Sequence, residues 1–412
     1  MQLAEQHIIK RGSQFYSDCD SLCFKSKNLY NSCLYVIREA YIKDKTNLVY
    51  KLHGLMKNSE QYAALPAKVS STVLLMVQKN FKSFFKANAD YIKNPQKYKV
   101  MPNAPQYLDS KSGRFIASYT NQAISKKVFN SSGKIKLSKS DIEIKTKITD
   151  FDLINCVRII PKLNYYVIEV VYTVPDCKLL DNNNNYYSVD LGVSNLATIT
   201  SNLKDVCPLI INGKPLKSMN QFYNKKLGYY KSHIDKRGQN KTTKQIAKLH
   251  LKRKNKVDNY LHKASKEIVC LCKDNKMNTL IVGKNNEWKQ SVSIGKKNNQ
   301  GFINIPHSRF IQMLKYKCEL SGINFILQEE SYTSKASFLN LDHIPIYKKT
   351  SEKHKFSGYR KSRGIYKIKG KDIIINADVN ASYNILRKAI PNTFVNGTEG
   401  FRVNPKVITL KK

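Results

Sequence analysis

Apolar positions along this chain change their period several times, and each change marks a different kind of element. Between residues 26 and 43, Leu29, Cys33, Val36, Ile37 and Ala40 recur at three- and four-residue intervals. That period predicts an amphipathic helix. From Pro66 to Lys86, Val69, Val73, Met76, Phe81 and Phe84 share one side, while Lys79, Lys82 and Lys86 fall on the other. Proline suits the first turn of such a helix, where a missing N–H breaks no bond. The first hundred residues therefore predict a small helical module with a basic outer face.

The period then drops to two. Ile142, Ile144 and Ile148, followed by "YYVIEVVYTV" at 165–174, alternate in the manner of antiparallel strands. "PDCKLLDNNNN" (175–185) has the composition of a turn or linker. "YYSVDLGVSNLATIT" (186–200) is an apolar strand that carries an acid, Asp190, followed by Gly192 and a second strand. Residues 214–276 predict long helices. "MNTLIVGK" (277–284) predicts a buried strand and "HSRFIQMLKYKCELSG" (307–322) a helix ended by Gly322. "INFILQEE" (323–330) predicts a second buried strand. Strand, helix, strand in this order predicts a parallel crossover. A basic, glycine-containing excursion occupies 348–371, and 372–390 predicts a short strand and a helix opening at Asp378.

Composition adds a class of partner to this α+β pattern. The 412 residues suffice for two or three domains. Seventy-one Lys and Arg against 30 Asp and Glu give a net charge of +41. A charge of that size repels itself in a folded chain and suits a polyanionic partner. Between 241 and 266 there are nine Lys or Arg and a single acid, Asp258. Lys248, Lys252, Arg253, Lys254, Lys256, His262 and Lys263 fall in this run, which predicts a helix laid along phosphates. For His262 and Lys263 an ordinary helix-surface role is an equal alternative. The nine cysteines form no CxxC pairs, which predicts neither a zinc ribbon nor a disulfide framework. No apolar run reaches the length of a membrane span, and the start of the chain lacks a signal-peptide pattern.

In a chain poor in acids, Asp190, the adjacent Glu329 and Glu330, and Asp378 are the candidate chemistry. Each has a plain structural alternative: a strand-end turn for Asp190, a solvated strand end for the glutamates, a helix cap for Asp378. A mixed sheet flanked by helices can bring all three positions to one edge. Such a carboxylate cluster suits two Mg²⁺ ions about 3.5–4 Å apart acting on a phosphodiester.

"YSVDLGVSNLATIT", "LIVGKNNEWKQ", "YTSKASF" and "NADVNASYNILRKAIPN" together resemble the transposon-encoded TnpB (OrfB) family, relatives of compact type V CRISPR effectors. The resemblance covers most of residues 186–400; the N-terminal 180 residues match only in layout. It implies an RNase H-like RuvC nuclease domain with a mixed sheet, and a wedge β-barrel-like domain carrying an inserted helical recognition module. The implied boundaries are 1–14 for the first wedge strand, 15–98 for the recognition module and 99–182 for the wedge domain. RuvC would span 183–330, with a basic helical arm at 214–276, and resume at 372–412 after a target-nucleic-acid-binding insert at 331–371.

The resemblance also implies a guide RNA made from the transposon end, double-stranded target DNA next to a short flanking motif, and Mg²⁺. It places the protein in the bacterial cytoplasm, on the nucleoid when DNA-bound, with no membrane partner. Asp190 matches the first catalytic Asp of the family and Asp378 the last. The usual Glu ends the strand "LIVGK", where this chain has Gly283. Some relatives carry a relocated Glu three residues before the Thr of "TS", which here is Glu330. The strand pleat turns Glu329 the other way, and Glu287 on the loop after Gly283 is a further rival. The two CxxC pairs that often follow "YTS" are absent, so no zinc is expected, and the insert would pack Phe338, Leu339, Leu341 and Ile344 instead. The alternatives to a nuclease of this kind are an RNA-guided repressor that has lost cleavage, an RNA-free RuvC-type nuclease, and a compact CRISPR effector.

Overall fold

The computed structural model describes residues 1–44, 48–235, 243–285, 305–346, 354–362 and 364–410. The chain divides into two compact units, Met1–Pro175 and Asp176–Lys412. The division falls inside the predicted linker. Residues after it attach to the second unit, where the Leu180 N–H donates to the Gly322 carbonyl and Asn183 to that of Lys276.

In the first unit, β1 (Gln2–Lys10) precedes four helices, α1 (Tyr16–Asp44), α2 (Leu52–Met56), α3 (Glu60–Ala63) and α4 (Ala67–Lys93). Then come β2 (Ala117–Thr120), α5 (Lys126–Ser132), β3 (Lys134–Lys136), β4 (Glu143–Lys145), β5 (Ile154–Pro161) and β6 (Tyr165–Thr173). The main sheet runs β1-β6-β5-β2, all antiparallel, and β3-β4 is a separate ribbon. Its edges β1 and β2 do not pair, so the sheet is open. β1 pairs with β6 along its whole length, from Gln2 opposite Thr173 to Lys10 opposite Tyr165. The first strand is thus completed by residues some 160 positions later, and α1–α4 are inserted between β1 and β2.

The apolar stripes predicted for α1 and α4 are buried: Leu29, Cys33 and Ile37 on α1, Val69, Val73 and Phe81 on α4. Lys79, Lys82 and Lys86 are exposed. Pro66 stands just outside α4 as its cap, and α4 continues to Lys93, seven residues past the predicted end. A polar pin fastens α1 to the sheet. Arg114 grips Asp20 with two hydrogen bonds (2.8 and 2.9 Å), and the Tyr166 hydroxyl donates to the same carboxylate. The Arg114 bond is the main reason the Asp20 carboxyl is held below its usual range.

In the second unit, β7 (Tyr186–Leu191), β8 (Asn195–Ser201) and β9 (Leu209–Asn212) form an antiparallel meander. Two helices follow, α6 (Lys214–Asp235) and α7 (Lys244–Asp274), then β10 (Thr279–Gly283), α8 (His307–Glu319) and β11 (Asn324–Gln328). β12 (Gly358–Ser362), β13 (Ile365–Ile368) and β14 (Ile374–Asn376) make a small antiparallel sheet. Helix α9 (Ala377–Ala389) and β15 (Lys406–Ile408) end the described order. The large sheet is β11-β10-β7-β8-β9-β15, with β10 parallel to β7 and β11 parallel to β10. The expected crossover is present. One expectation is corrected: β11 is an edge strand and not a buried one. Among the described residues it has a partner on one side only, and Leu327 is 48% exposed.

The period-2 pattern assigns faces. Tyr187, Val189, Leu191, Leu280 and Val282 pack with α7 and α8 on one face. Tyr186 and Ile281 pack with α9 on the other. Asp190 and Gly283 share the parity of the α9 side. Phe338 joins this second core. It stacks on Tyr383 of α9 (4.1 Å between centroids) and meets Phe394 and Phe401 edge-on. The expectation that Phe338 and Leu341 pack a separate insert is therefore corrected: Leu341 is exposed, and Phe338 belongs to the α9 core.

The Asp20 pin yields a prediction. Asp20→Asn should lower stability near neutral pH by about 1 kcal/mol, a value reduced because the carboxylate is a third exposed and screened by solvent. A depressed folded pKa contributes stability above the unfolded value of about 3.9 that is lost as pH falls through the folded value. Denaturant titrations should therefore show the gap between wild type and variant closing only in acid.

Candidate active site

Three chain segments carry carboxylates to the α9 side of the large sheet. Asp190 is the last but one residue of β7. Asp378 lies in the first turn of α9. Glu330 stands two residues beyond β11. All three line one cavity of ≈ 580 Å³, together with Asn195, Asn285, Thr333 and Arg360.

Asp378 is not the helix cap, which corrects the structural alternative for it. Asn376 caps α9, its Oδ1 accepting the N–H groups of Asp378 (3.0 Å) and Val379 (3.1 Å). The Asp378 carboxylate is left to face the cavity. Its Oδ2 accepts from Asn195 Nδ2 (2.7 Å) and its Oδ1 from the Arg360 guanidinium of β12 (3.0 Å).

Glu330 occupies the space above Gly283. A Cβ at position 283 would lie 2.4 Å from Glu330 Oε2 and 2.5 Å from Ile385 Cδ1. Gly283 pairs with Gln328 across the parallel ladder. The acid of the next strand therefore folds back over the glycine, and its oxygen fills the volume a side chain at 283 would need. Glu330 Oε2 is buried with no hydrogen-bond partner among the described residues.

Glu329 faces elsewhere, as the pleat predicts. It pairs with Lys388, whose side chain is 8% exposed, and its Oε1 accepts the Ser331 N–H (2.7 Å). Burial alone would raise its carboxyl, but the bonds from Lys388 and Ser331 outweigh it and hold it below its usual range. Glu329 is thus a structural anchor. Glu287 and Trp288 lie outside the described residues.

The electrostatics mark a site short of positive charge. Burial, then the proximity of Glu330 and Asp378, raises the Asp190 carboxyl well above its usual range, against a weaker pull from Arg360. Asp190 is accessible only in part, through the cavity it lines. Burial, then the charge of Glu329, pushes Glu330 up to about 7, with Lys388 opposing. Hard carboxylate oxygens, one of them buried and unpartnered, suit Mg²⁺. Among the described residues no three acidic, His or Cys side chains are gathered closely enough to chelate an ion as they stand. Arg360, on Asp378 Oδ1, takes part of the position a cation would hold.

The candidate nucleic-acid contacts divide. Lys248, Lys252, Lys256 and His262 are exposed on α7. Arg253 turns inward, donating to Asn220 Oδ1 of α6 (2.7 Å) and covering the Tyr223 ring. Lys254 pairs with Asp258, which Arg309 of α8 also grips. Lys263 is half-buried and lines a groove with Lys266, Cys270 and Leu410. His343 and His354 are exposed. The sequence pattern missed Arg360, Asn195 and Lys388. Arg360 is one of many cations in the 348–371 excursion, so nothing in composition singles it out. Asn195, a polar residue opening an apolar strand, was a readable signal. No helix of the described residues is long and apolar enough to cross a membrane.

Residues 169–289 match the family model OrfB_IS605, described as a probable transposase, and residues 307–385 match the Cas12f1-like TNB domain. No curated protein matches the chain. Among solved structures, a Cas12f1–sgRNA–target DNA complex is similar at 15% identity and a TM-score of 0.36, covering 93% of this chain and 98% of that one. A CRISPR-Cas12f ternary complex is similar at 15% identity and a TM-score of 0.34, covering 89% and 80%. The first match begins in β6 and the second ends in α9, and together they are what this chain is similar to: a probable transposase and a Cas12f1-like TNB domain.

Proposed function

We propose that this protein is an RNA-guided, Mg²⁺-dependent DNA endonuclease. It takes a guide RNA made from a transposon end, reads a short flanking motif and cleaves guide-complementary DNA with one RuvC-type site. The observation that carries the reading is the convergence of Asp190, Glu330 and Asp378 on one cavity, with the Glu330 oxygen in the space vacated at Gly283. A three-stranded meander continued by two parallel strands, with helices on both faces, supports an RNase H-like domain. The two family matches support the nuclease class and a target-nucleic-acid-binding role for 331–371. The first unit would then serve as wedge domain and helical recognition module.

Asp190, Glu330 and Asp378 would hold the metal. Mg²⁺, when bound, supplies Lewis-acid activation of water and neutralises charge at the phosphate. The chain's own groups prepare that site. Asn195 fixes the Asp378 carboxylate, Lys388 draws Glu329 away, and Ile385, like Glu330, sits close against Gly283. Exposed lysines of α7 and α4 supply cations for RNA and heteroduplex backbone. Base pairing then provides sequence choice, while the protein reads duplex shape and the flanking motif. Gly283 alone would favour a repressor without cleavage, but a carboxylate oxygen at that position removes its main motive. A CRISPR effector differs from this reading in genomic neighbourhood and not in the site.

The test is cleavage of matched DNA by the RNA-bound protein with Mg²⁺. Wild type and Glu287→Ala should cut, while Asp190→Ala, Glu330→Ala and Asp378→Ala should lose at least about a hundredfold in rate, the scale of removing a transition-state charge partner. Loss with Glu287→Ala and not with Glu330→Ala would move the third carboxylate to the loop. Binding without cleavage by wild type would make the protein a guided repressor.

Two further outcomes follow from the same packing. Gly283→Ala should abolish cleavage nearly as fully as Glu330→Ala, because the methyl group displaces the carboxylate; wild-type rates would mean that Glu330 adopts another pose. The raised Glu330 pKa makes a contribution to stability that is present below its ordinary value and lost as pH rises through about 7. Without divalent ions, Glu330→Gln should therefore unfold at a higher temperature than wild type at pH 8. Added Mg²⁺ should stabilise wild type more than the variant.

A further inference from the structure

Glu330 is held in place by groups that do not touch its carboxylate. Its backbone N–H donates to Asn285 Oδ1 (3.1 Å), and its carbonyl accepts from Thr333 twice, from Oγ1 (2.8 Å) and from the N–H (3.3 Å). Thr333 is 3% exposed. Its own carbonyl accepts from Asn384 Nδ2 on α9 (2.9 Å), which also donates to the Ala336 carbonyl (2.7 Å). One turn earlier, Asn380 donates to the same Ala336 carbonyl (2.8 Å) and accepts the Phe338 N–H (2.9 Å).

Both asparagines are fully buried. Asparagine is a poor residue for a helix interior, and its amide is costly to bury unless bonded. Four residues apart, the two lie on one face of α9 and clamp a single segment, 333–338. The turn that segment closes includes Tyr332 at φ +65°, a left-handed conformation that a bulky side chain rarely adopts. A turn of that kind persists only when its surroundings hold it.

We propose that Thr333 and Asn384 are positioning residues for Glu330: α9 sets the place of the third carboxylate through the relay Asn384–Thr333–Glu330. The proposal rests on the reading of Glu330 as a metal ligand. It is specific to a chain in which the acid has left position 283. An acid on β10 is held by the sheet ladder itself, whereas one beyond the end of β11 depends on this relay, together with the Asn285 bond to its N–H, to fix its distance from Asp190 and Asp378.

The experiment is a titration of the full chain, freed of nucleic acid, with Mn²⁺ alone, read by loss of the free-ion EPR signal. Mn²⁺ is an oxygen-preferring probe for the same donors. Thr333→Val and Asn384→Ala should each weaken binding by roughly 10–100-fold, the usual effect of removing a group that orients a ligand. Thr333→Ser, which keeps the hydroxyl, should restore it. In a Glu330→Gln background neither Thr333→Val nor Asn384→Ala should weaken binding further. Ser382→Ala, on the opposite side of α9, should still do so.

Equal affinity for wild type and Thr333→Val overturns the relay. So does a Thr333→Val effect that persists undiminished beside Glu330→Gln, since it would then be a general loosening of the fold. If Asn384→Ala fails to fold, the Thr333→Val and Thr333→Ser pair decides. If Glu330→Gln alone binds Mn²⁺ like wild type, Glu330 is not a ligand, and the reading of the site falls together with the relay.

Discussion

One volume above the end of β10 cannot hold two side chains. A Cβ on residue 283 would overlap both the Glu330 carboxylate and Ile385 of α9, so Glu330 can occupy this place only opposite a glycine at 283. This mutual exclusion makes the candidate site intelligible. An acid displaced from the central strand reaches the same point in space only because β11 runs parallel to β10, in a register that places Gln328 opposite Gly283. Two more residues bring Glu330 past the strand end and back over the vacated position. The two positions, 47 residues apart, are thereby coupled by simple sterics.

Helix α9 is the common reference for all three acids. It carries Asp378 in its first turn. One turn later, Ser382 is locked to the strands: Ser188 Oγ donates to the Ser382 carbonyl (2.8 Å), Thr200 Oγ1 to Ser382 Oγ (3.0 Å), and Ser382 Oγ to the Ser188 carbonyl (3.1 Å). Ser188 shares a strand face with Asp190, two residues on. Asn380 and Asn384 fasten the segment that follows Glu330. Small polar side chains suit this task. They let helix and sheet approach closely, and each bond has one geometry, whereas apolar contacts would allow sliding. The polar residues of "NADVNASYN" are thus spaced to serve three neighbours at once: 378 the cavity, 380 and 384 one loop, 382 the sheet.

Much of this was legible in the sequence where period and chemistry agreed. Alternation in "YYSVDL" put Asp190 on the face opposite Tyr187, Val189 and Leu191, and the strand–helix–strand order gave the parallel crossover. The same pleat separated Glu330 from Glu329, and the ion pair with Lys388 supplies the reason Glu329 needs no metal. What stayed hidden depended on tertiary neighbours. "NFILQ" reads as buried because it is apolar, but nothing local reveals that a strand will stand at an edge. Asp378 resembled a cap because Asp caps helices well, yet Asn376 stood two residues earlier and took that role. Phe338 looked like the core of an insert, and its partners Phe394 and Phe401 lie more than fifty residues downstream.

The charge of the chain has a different logic at the site than over the surface. A net +41 favours a polyanionic partner but by itself gives affinity without placement. Within the cavity the sign reverses, and Asp190, Glu330 and Asp378 would repel a phosphate. Burial first, then the charge of Glu330 and Asp378 for Asp190 and of Glu329 for Glu330, already raises both carboxyls above their ordinary ranges, with Arg360 a partial counterweight at Asp190 and Lys388 at Glu330. A site that is anionic inside a cationic envelope accepts phosphate only together with a cation. In the proposed reading, exposed lysines on α7 and α4 would set how strongly nucleic acid is held. In that reading the three carboxylates would set where the strand meets an ion, and α9, which carries Asp378 and bonds the segment after Glu330, would fix their spacing.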